Sequence, residues 1–130
     1  MGAMSERALH RVAERGDGWL PACVVPSRVD IDGLAHQRSL IDELAKKAGR
    51  EPSAVDTILR IDIDAGTSSE TVATTIRTVH ERTGIDHVMV DTMYCDGTVD
   101  QSLQRAEEIL ASRFHEAGCP TGGQVSEKCL

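Results

Sequence analysis

The fold of this chain is decided by residues 55–91, which read VDTILRIDIDAGTSSETVATTIRTVHERTGIDHVMVD. Residues 55–63 are rich in β-branched side chains, which predicts a strand, and residues 86–91 predict a second strand. Between the two strands, Thr67 and Glu70 form a capping box, a pattern with which helices begin. This helix is predicted to end near Gly84 and to bury Val72, Ala73, Ile76 and Val79. A strand, a helix and a strand in this order favour a parallel pair joined by a right-handed crossover.

The segment before this unit predicts a short helix and an interrupted strand. Ser5 can cap the helix, and we expect Gly16 to stop it in the left-handed conformation. Residues 19–25 form an apolar run that predicts a strand, although Pro21 inside the run removes one ladder donor. The helix would place on one face Ala8, Leu9, Val12 and Ala13.

Two further helices complete the pattern. The first is predicted over residues 34–48, between a polar loop over residues 27–33 and Gly49; its apolar stripe comprises Leu40, Ile41, Leu44, Ala45 and Ala48. Thr98 and Gln101 form a second capping box that opens the last helix. Its inward side chains are predicted to be Leu103, Ala106, Ile109, Leu110 and Phe114. A helix followed by about three parallel strand–helix units indicates an α/β fold.

Composition limits the partners of the chain. It has 130 residues and a formal net charge of -7 with no Lys/Arg run, so we expect no binding to nucleic acid. No apolar run approaches the roughly 20 residues that span a bilayer, and no signal segment is apparent, so we expect a cytoplasmic protein that does not enter membranes. None of the four cysteines forms a Cys-x-x-Cys pair, so no metal site is expected.

The chain divides into three parts. Residues 1–4 resemble a vector remnant followed by a start at Met4. Residues 5–117 carry the strand and helix patterns and form one domain. Residues 118–130 are rich in Gly, Pro, Thr and Ser without periodicity, which predicts a disordered tail.

Three segments, in order, resemble the luciferase-like monooxygenases. Residues 8–21 read ALHRVAERGDGWLP, and the Gly-Asp-Gly-Trp turn within them is similar to that family's helix-to-strand turn. Residues 48–52, AGREP, and residues 84–90, GIDHVMV, are similar to a helix end and a strand of the same family. The resemblance covers about residues 7–115.

This resemblance implies a partial (β/α)8 barrel of the TIM type, with this chain as its C-terminal part. The family consists of oxidoreductases that use flavin mononucleotide (FMN) or a deazaflavin. Its members draw many cofactor contacts from the first five strands, which have no counterpart here. We therefore expect the chain, when alone, to lack full activity and to bind neither FMN nor a deazaflavin tightly, and no catalytic residue is carried over.

Polar side chains alternate with apolar ones along two predicted strands. Parallel strands buried on both faces are normally apolar throughout, so the apolar faces are expected to meet the helices. The other, inner face would carry Arg60, Asp62, His87 and Asp91. A histidine and carboxylates on such a face can perform acid–base chemistry. The alternative is an ion pair of Arg60 with Asp62 or Asp91 that only neutralises charge.

Residues after the strands are candidates for contact with a cofactor, because active sites of such barrels lie at the carboxyl ends of strands. Gly66 allows close approach, and the helix start at Thr67 and Ser68 offers N–H groups that could hold a phosphate. The alternative is an ordinary capped helix start. Tyr94 could stack on a ring, or it could anchor its loop.

Three functions follow as hypotheses. The first is a segment of a flavin- or deazaflavin-dependent oxidoreductase, which would require a complementary barrel part. The second is a non-catalytic α/β module that self-associates, and the third is a small anion-binding module. Self-association is expected through inner sheet faces or strand edges, with Arg60 of one chain meeting an aspartate of another.

Overall fold

The computed structural model describes residues 5–93 and 97–115, and for residues 113–115 it describes the backbone alone. The helices are α1 (Glu6–Arg15), α2 (Ile31–Lys47), α3 (Ser69–Thr83) and α4 (Val99–His115). The strands are β1 (Gly18–Trp19), β2 (Ala22–Val25), β3 (Asp56–Ile63) and β4 (His87–Asp91), and a 3-10 turn (Pro52–Ala54) precedes β3. The predicted parts 1–4 and 118–130 lie outside the described residues.

The sheet is parallel and centred on β3. β1 and β2 lie along one edge of β3 in continuous register, with Trp19 opposite Thr57 and Ala22 opposite Arg60, and β4 lies along the other edge. The strand predicted over residues 19–25 is therefore two short strands in one line. The break falls at Pro21, which has no N–H to donate but whose carbonyl still accepts from the Arg60 amide.

All four helices pack on the same face of this sheet. The buried side chains of β3 are Thr57, Leu59, Ile61 and Ile63, and the core that they share with the helices takes side chains from each one. α1 packs on α2, α2 on α3 and α3 on α4, so the helices follow one another as the strands do. The fold is thus α/β with a parallel sheet, as the sequence predicts, and the described strands do not close a barrel.

Two helix starts differ from their predictions. α2 begins at Ile31, because the Asp30 side chain accepts from the Gly33 amide and caps the helix within the predicted loop. α3 is capped by Ser68 instead of Thr67: the Ser68 hydroxyl accepts from the Thr71 amide at 3.2 Å. The expected capping box of Thr67 and Glu70 is therefore wrong by one residue.

The other predicted caps are confirmed. The Ser5 hydroxyl accepts from the Ala8 amide at 3.4 Å. Thr98 accepts from the Gln101 amide at 3.2 Å, while the Gln101 side chain accepts from the Thr98 amide at 3.1 Å. This reciprocal pair is the capping box that the sequence predicts at the start of α4.

Gly16 stops α1 for a different reason from the predicted one. Its φ is -83°, so it is not left-handed. A Cβ at this position would lie 2.8 Å from the Val12 carbonyl oxygen, which only glycine avoids. Gly84, by contrast, ends α3 at a φ of 73°, in the left-handed region that glycine adopts most easily.

The apolar side of α4 is only partly buried. Ile109 is 6% exposed and reaches the core, but Leu103 and Leu110 are 60% and 56% exposed. The prediction that both leucines point inward is wrong, because no described element lies beyond β4 and α4 to cover them. The Phe114 side chain lies outside the described residues.

Candidate functional site

None of the described helices covers the face of the sheet opposite the core, and we call it the open face. Its backbone positions are fixed by the pairing of β2, β3 and β4, in which partner residues point to the same side. Along β3 these positions are less buried than their neighbours, and Met89 on β4 is 44% exposed. The open face consists of Ala22, Val24, Asp56, Ile58, Arg60, Asp62, His87, Met89 and Asp91.

Arg60 lies at the centre of this face between two carboxylates. Its Nε donates to Asp62 Oδ1 at 3.0 Å, and its Nη2 donates to Asp91 Oδ2 at 2.8 Å. Asp62 and Asp91 are direct partners across β3 and β4, so the guanidinium separates two negative charges on adjacent strands. The two ion pairs that the sequence suggested as alternatives exist together, and the three side chains form a charged triplet.

This arrangement bears on the expected role of Arg60 in self-association. Two of its three guanidinium nitrogens, Nε and Nη2, already bind aspartates of its own chain. The pairing of Arg60 with an aspartate of a second chain stays a prediction. Three aspartates and one arginine leave the open face with a net charge of -2 when His87 is neutral.

His87 does not join the triplet. It begins β4, whereas Asp91 ends that strand, and its Nδ1 lies 3.7 Å from Asp56 Oδ2. Both side chains of this second pair are well exposed. His87 and the two clustered carboxylates thus occupy opposite ends of the open face, and the carboxylate next to His87 is that of Asp56, not that of Asp62 or Asp91.

At the carboxyl end of the sheet, Asp64 ties two loops together. Its Oδ2 accepts from the Ser27 amide at 3.0 Å, and its own amide donates to the Val25 carbonyl. The hydrogen bonds from the Ser27 side chain and backbone, together with the charge of Arg28, lower the pKa of Asp64. Asp64 therefore fixes the loop after β2 rather than offering a free carboxylate.

The start of α3 is engaged by the protein itself. Ser68 caps the helix, and the Thr67 hydroxyl donates to the Val25 carbonyl at 3.4 Å. The Thr67 carbonyl accepts from Arg105 Nη1 at 2.7 Å. Gly66, Thr67 and Ser68 therefore show the capped start that the sequence gave as the alternative to a phosphate site.

Tyr94, the remaining candidate for cofactor contact, lies outside the described residues.

A cavity of about 590 Å3 lies along the outer edge of β2, between that strand, the loop after it and the first turns of α2. Its lining includes Cys23, Val24, Arg28, Asp30, Gln37 and Asp62. Cys23 is buried, and burial, helped by the nearby Asp62 carboxylate, raises the pKa of its thiol to about 11. The thiol is thus protonated at neutral pH and is not an activated nucleophile.

Two arginines with structural roles escaped the sequence analysis. Arg38 on α2 donates to the Val55 carbonyl and to the Thr57 hydroxyl, and Arg50 donates to the carbonyls of Ala13 and Gly16. Both lie near the amino ends of the strands. Arg50 belongs to the AGREP segment, and its place between a glycine and a proline was the one signal that could have marked it.

The described ranges, 5–93 and 97–115, contain no cluster of three His, Cys, Asp or Glu side chains able to hold a metal ion. In the same ranges, no helix combines the length and apolar character needed to cross a membrane. The chain matches no protein-family model, no curated protein and no solved structure.

Proposed function

We propose that this chain is the C-terminal segment of a luciferase-like barrel oxidoreductase dependent on FMN or a deazaflavin. Its part is to supply strand–helix units that complete a cofactor-holding barrel. The cofactor carries the redox step in such enzymes, and the protein binds and orients it. The oxidoreductase activity is proposed because three sequence segments resemble that family.

The observation that carries the proposal is the one-sided covering of the sheet. Consecutive strands are neighbours, and all four helices lie on one face. Sheets wound in two directions place helices on both faces, whereas barrels place all helices outside and the other face inside. In such a barrel the open face would line the interior, and Asp62 and Asp91 of the triplet would lie toward the carboxyl ends of β3 and β4, where barrels bind their ligands.

The outer edge of β2 offers a place for the preceding strand. The cavity of about 590 Å3 runs along this edge, beside Ala22 and Val24. In a barrel, each strand is paired on both edges, so a strand from the complementary part would pair with β2 there and take the place of Arg28 on the Val24 amide and carbonyl. The described residues bind Thr67 and Ser68 within the chain and hold Cys23 protonated, so the reacting groups would come from the complementary part.

Cofactor titration tests this proposal. FMN and a 5-deazaflavin cofactor are each titrated, with fluorescence as the readout, into the chain alone and into its mixture with a luciferase-like oxidoreductase that lacks its last three strand–helix units. We expect the chain alone to bind with a Kd weaker than about 1 μM, roughly -8 kcal/mol, and the mixture to bind more tightly.

Two variants test whether the open face is needed for the tighter binding of the mixture. Met89→Glu places a charge on the open face and should prevent completion of the barrel, whereas Ala111→Glu places the same charge on the exposed side of α4. Tight binding by the chain alone would contradict the proposal. A mixture that binds no better than its parts, or that Met89→Glu leaves unchanged, would contradict it as well.

The second candidate function is a non-catalytic module that self-associates. The exposure of Leu103 and Leu110 along α4 favours it, since exposed apolar surface of this kind marks contact with another protein. Sedimentation equilibrium of the chain alone tests this candidate, and a monomer at high micromolar concentration would contradict it.

A further inference from the structure

The two edges of the molecule are not alike. At the first edge, the outward N–H and C=O of Val24 are both bonded to Arg28, at 3.0 and 2.7 Å. The helix beside this edge, α1, exposes only polar and charged side chains, which are Glu6, Arg7, His10, Arg11, Glu14 and Arg15. Bonded backbone groups and a charged helix surface protect this edge against pairing with another chain.

The second edge has neither protection. β4 pairs with β3 alone among the described strands, so its outer edge offers unpaired backbone groups. The helix beside it, α4, exposes Val99, Leu103 and Leu110. Together with Ala106, these three residues lie within an arc of roughly 60° around the helix axis, at 3.6 residues per turn. They form what we call the α4 stripe.

An apolar groove connects the α4 stripe to the sheet. It is lined by Ala73, Ile76, Val88, Val90, Ile109 and Leu110, with no polar residue among them. Val88 and Val90 are only half-buried. The unpaired edge of β4, the groove and the α4 stripe thus form one continuous surface, which we call the β4–α4 edge.

We propose that the β4–α4 edge binds a second copy of this chain across a twofold axis, with β4 pairing antiparallel to the partner's β4 and α4 packing antiparallel to the partner's α4. The inference rests on the second candidate function, self-association, and names its surface. In a head-to-tail assembly, the β4–α4 edge of one copy would have to bind the first edge of the next copy, which is protected. A twofold dimer uses the β4–α4 edge of both copies and leaves no interface open for further copies.

The α4 stripe is complementary to itself. In an antiparallel helix pair centred near Ala106, Leu103 of each chain lies opposite Leu110 of the other, and the contact occurs twice. The small side chain of Ala106 at the crossing lets the helices approach closely. A twofold axis perpendicular to the sheet relates the two copies of α4 to each other and the two copies of β4 to each other. One dimer therefore forms the helix contact and the strand contact together.

The open face is a poorer surface for the same partner. Its net charge of -2 would be doubled and desolvated if two copies met face to face, and Arg60 is already bonded to Asp62 and Asp91. The charged triplet can stay in water when the β4–α4 edge is the interface. Charge therefore favours the edge over the face.

Sedimentation equilibrium distinguishes the two surfaces. We expect the full chain to sediment at about twice its 14.1 kDa mass at tens of micromolar concentration. Leu103→Glu and Leu110→Glu should each raise the dimer Kd by at least about 100-fold, as charges in the centre of an apolar interface do. Ala111→Glu, on the other exposed side of the same helix, and Ala22→Glu, on the open face at β2 and away from β4, should leave the dimer Kd unchanged.

Disulfide trapping gives a second measurement that does not depend on weakening the dimer. With Cys95, Cys119 and Cys129 changed to serine, Ala106→Cys lies next to the proposed axis and should form an intermolecular disulfide on mild oxidation. Ala111→Cys in the same background should not.

A monomeric full chain would overturn both self-association and this interface. A dimer that Ala22→Glu disrupts and Leu103→Glu does not would overturn the interface alone, as would equal trapping at positions 106 and 111.

Discussion

Replacement of Arg60 by methionine tests whether the charged triplet stabilises the fold. The substitution keeps an unbranched side chain on β3 and removes the guanidinium that bonds Asp62 at 3.0 Å and Asp91 at 2.8 Å. The Arg60 side chain is 36% exposed, so each ion pair is partly screened by water. Pairs of this kind contribute roughly 0.2–1 kcal/mol each, and two like charges left opposite one another on adjacent strands cost a similar amount.

The expected loss for Arg60→Met is therefore about 1–2 kcal/mol in the free energy of unfolding. Urea unfolding followed by the fluorescence of Trp19, which is buried in the core, measures it. Because the effect is electrostatic, the difference from the wild type should shrink in 1 M NaCl, where the Debye length is about 3 Å. Arg60→Met combined with Asp62→Asn and Asp91→Asn should recover part of the loss, because the opposed charges are gone.

Arg82→Met is the matched control. Arg82 bonds Asp32 on the surface between α3 and α2, and both side chains are more exposed than those of the triplet. The control should change the free energy of unfolding by no more than about 0.5 kcal/mol. An Arg60→Met variant that unfolds at the wild-type urea concentration, or whose loss is insensitive to salt, would refute the reasoning from the triplet.

Two further predictions follow from individual contacts. Ser68→Ala should lower the free energy of unfolding by about 1 kcal/mol in urea melts, through loss of the α3 cap. Thr67→Ala should lower it by less, because the hydrogen bond of the Thr67 hydroxyl is long, at 3.4 Å. A larger loss for Thr67→Ala than for Ser68→Ala would show that Thr67 is the cap. Cys23, with a thiol pKa of about 11, should resist iodoacetamide at pH 8 in the folded chain, and its rate should rise about tenfold per pH unit toward 11, because only the thiolate reacts. Mass spectrometry of the alkylated peptide measures this rate separately from the other cysteines, and rapid labelling of Cys23 at pH 7 would contradict the prediction.

Much of the fold could be predicted because its signals are local. The alternation over residues 55–63 correctly separates a helix-facing side with Leu59, Ile61 and Ile63 from the polar side, since strand geometry imposes a period of two wherever the strand lies. The cap at Ser5 and the capping box at Thr98 are likewise set by side chains that bond amides three residues away. The pairing of Arg60 with aspartates was also foreseeable, since alternation puts them on one face.

The rest depended on contacts between distant segments. Thr67 and Ser68 are equally suitable caps by residue type, and the Val25 carbonyl, from another strand, accepts a bond from Thr67 while Ser68 caps the helix. The periodicity of α4 marks Leu103 and Leu110 as apolar, but it cannot state whether a neighbouring element covers them.

The element order, the parallel sheet and the two chemically different faces of β3 follow from backbone geometry and side-chain type, so they could be read from the residues alone. That Arg60 binds Asp62 and Asp91 at once and leaves His87 apart is known from the folded molecule. So is the difference between the edges, since Arg28 bonds the outward groups of Val24 whereas no further described strand pairs with β4. These properties arise from which segments meet in space, and a pattern read along one chain does not contain that information.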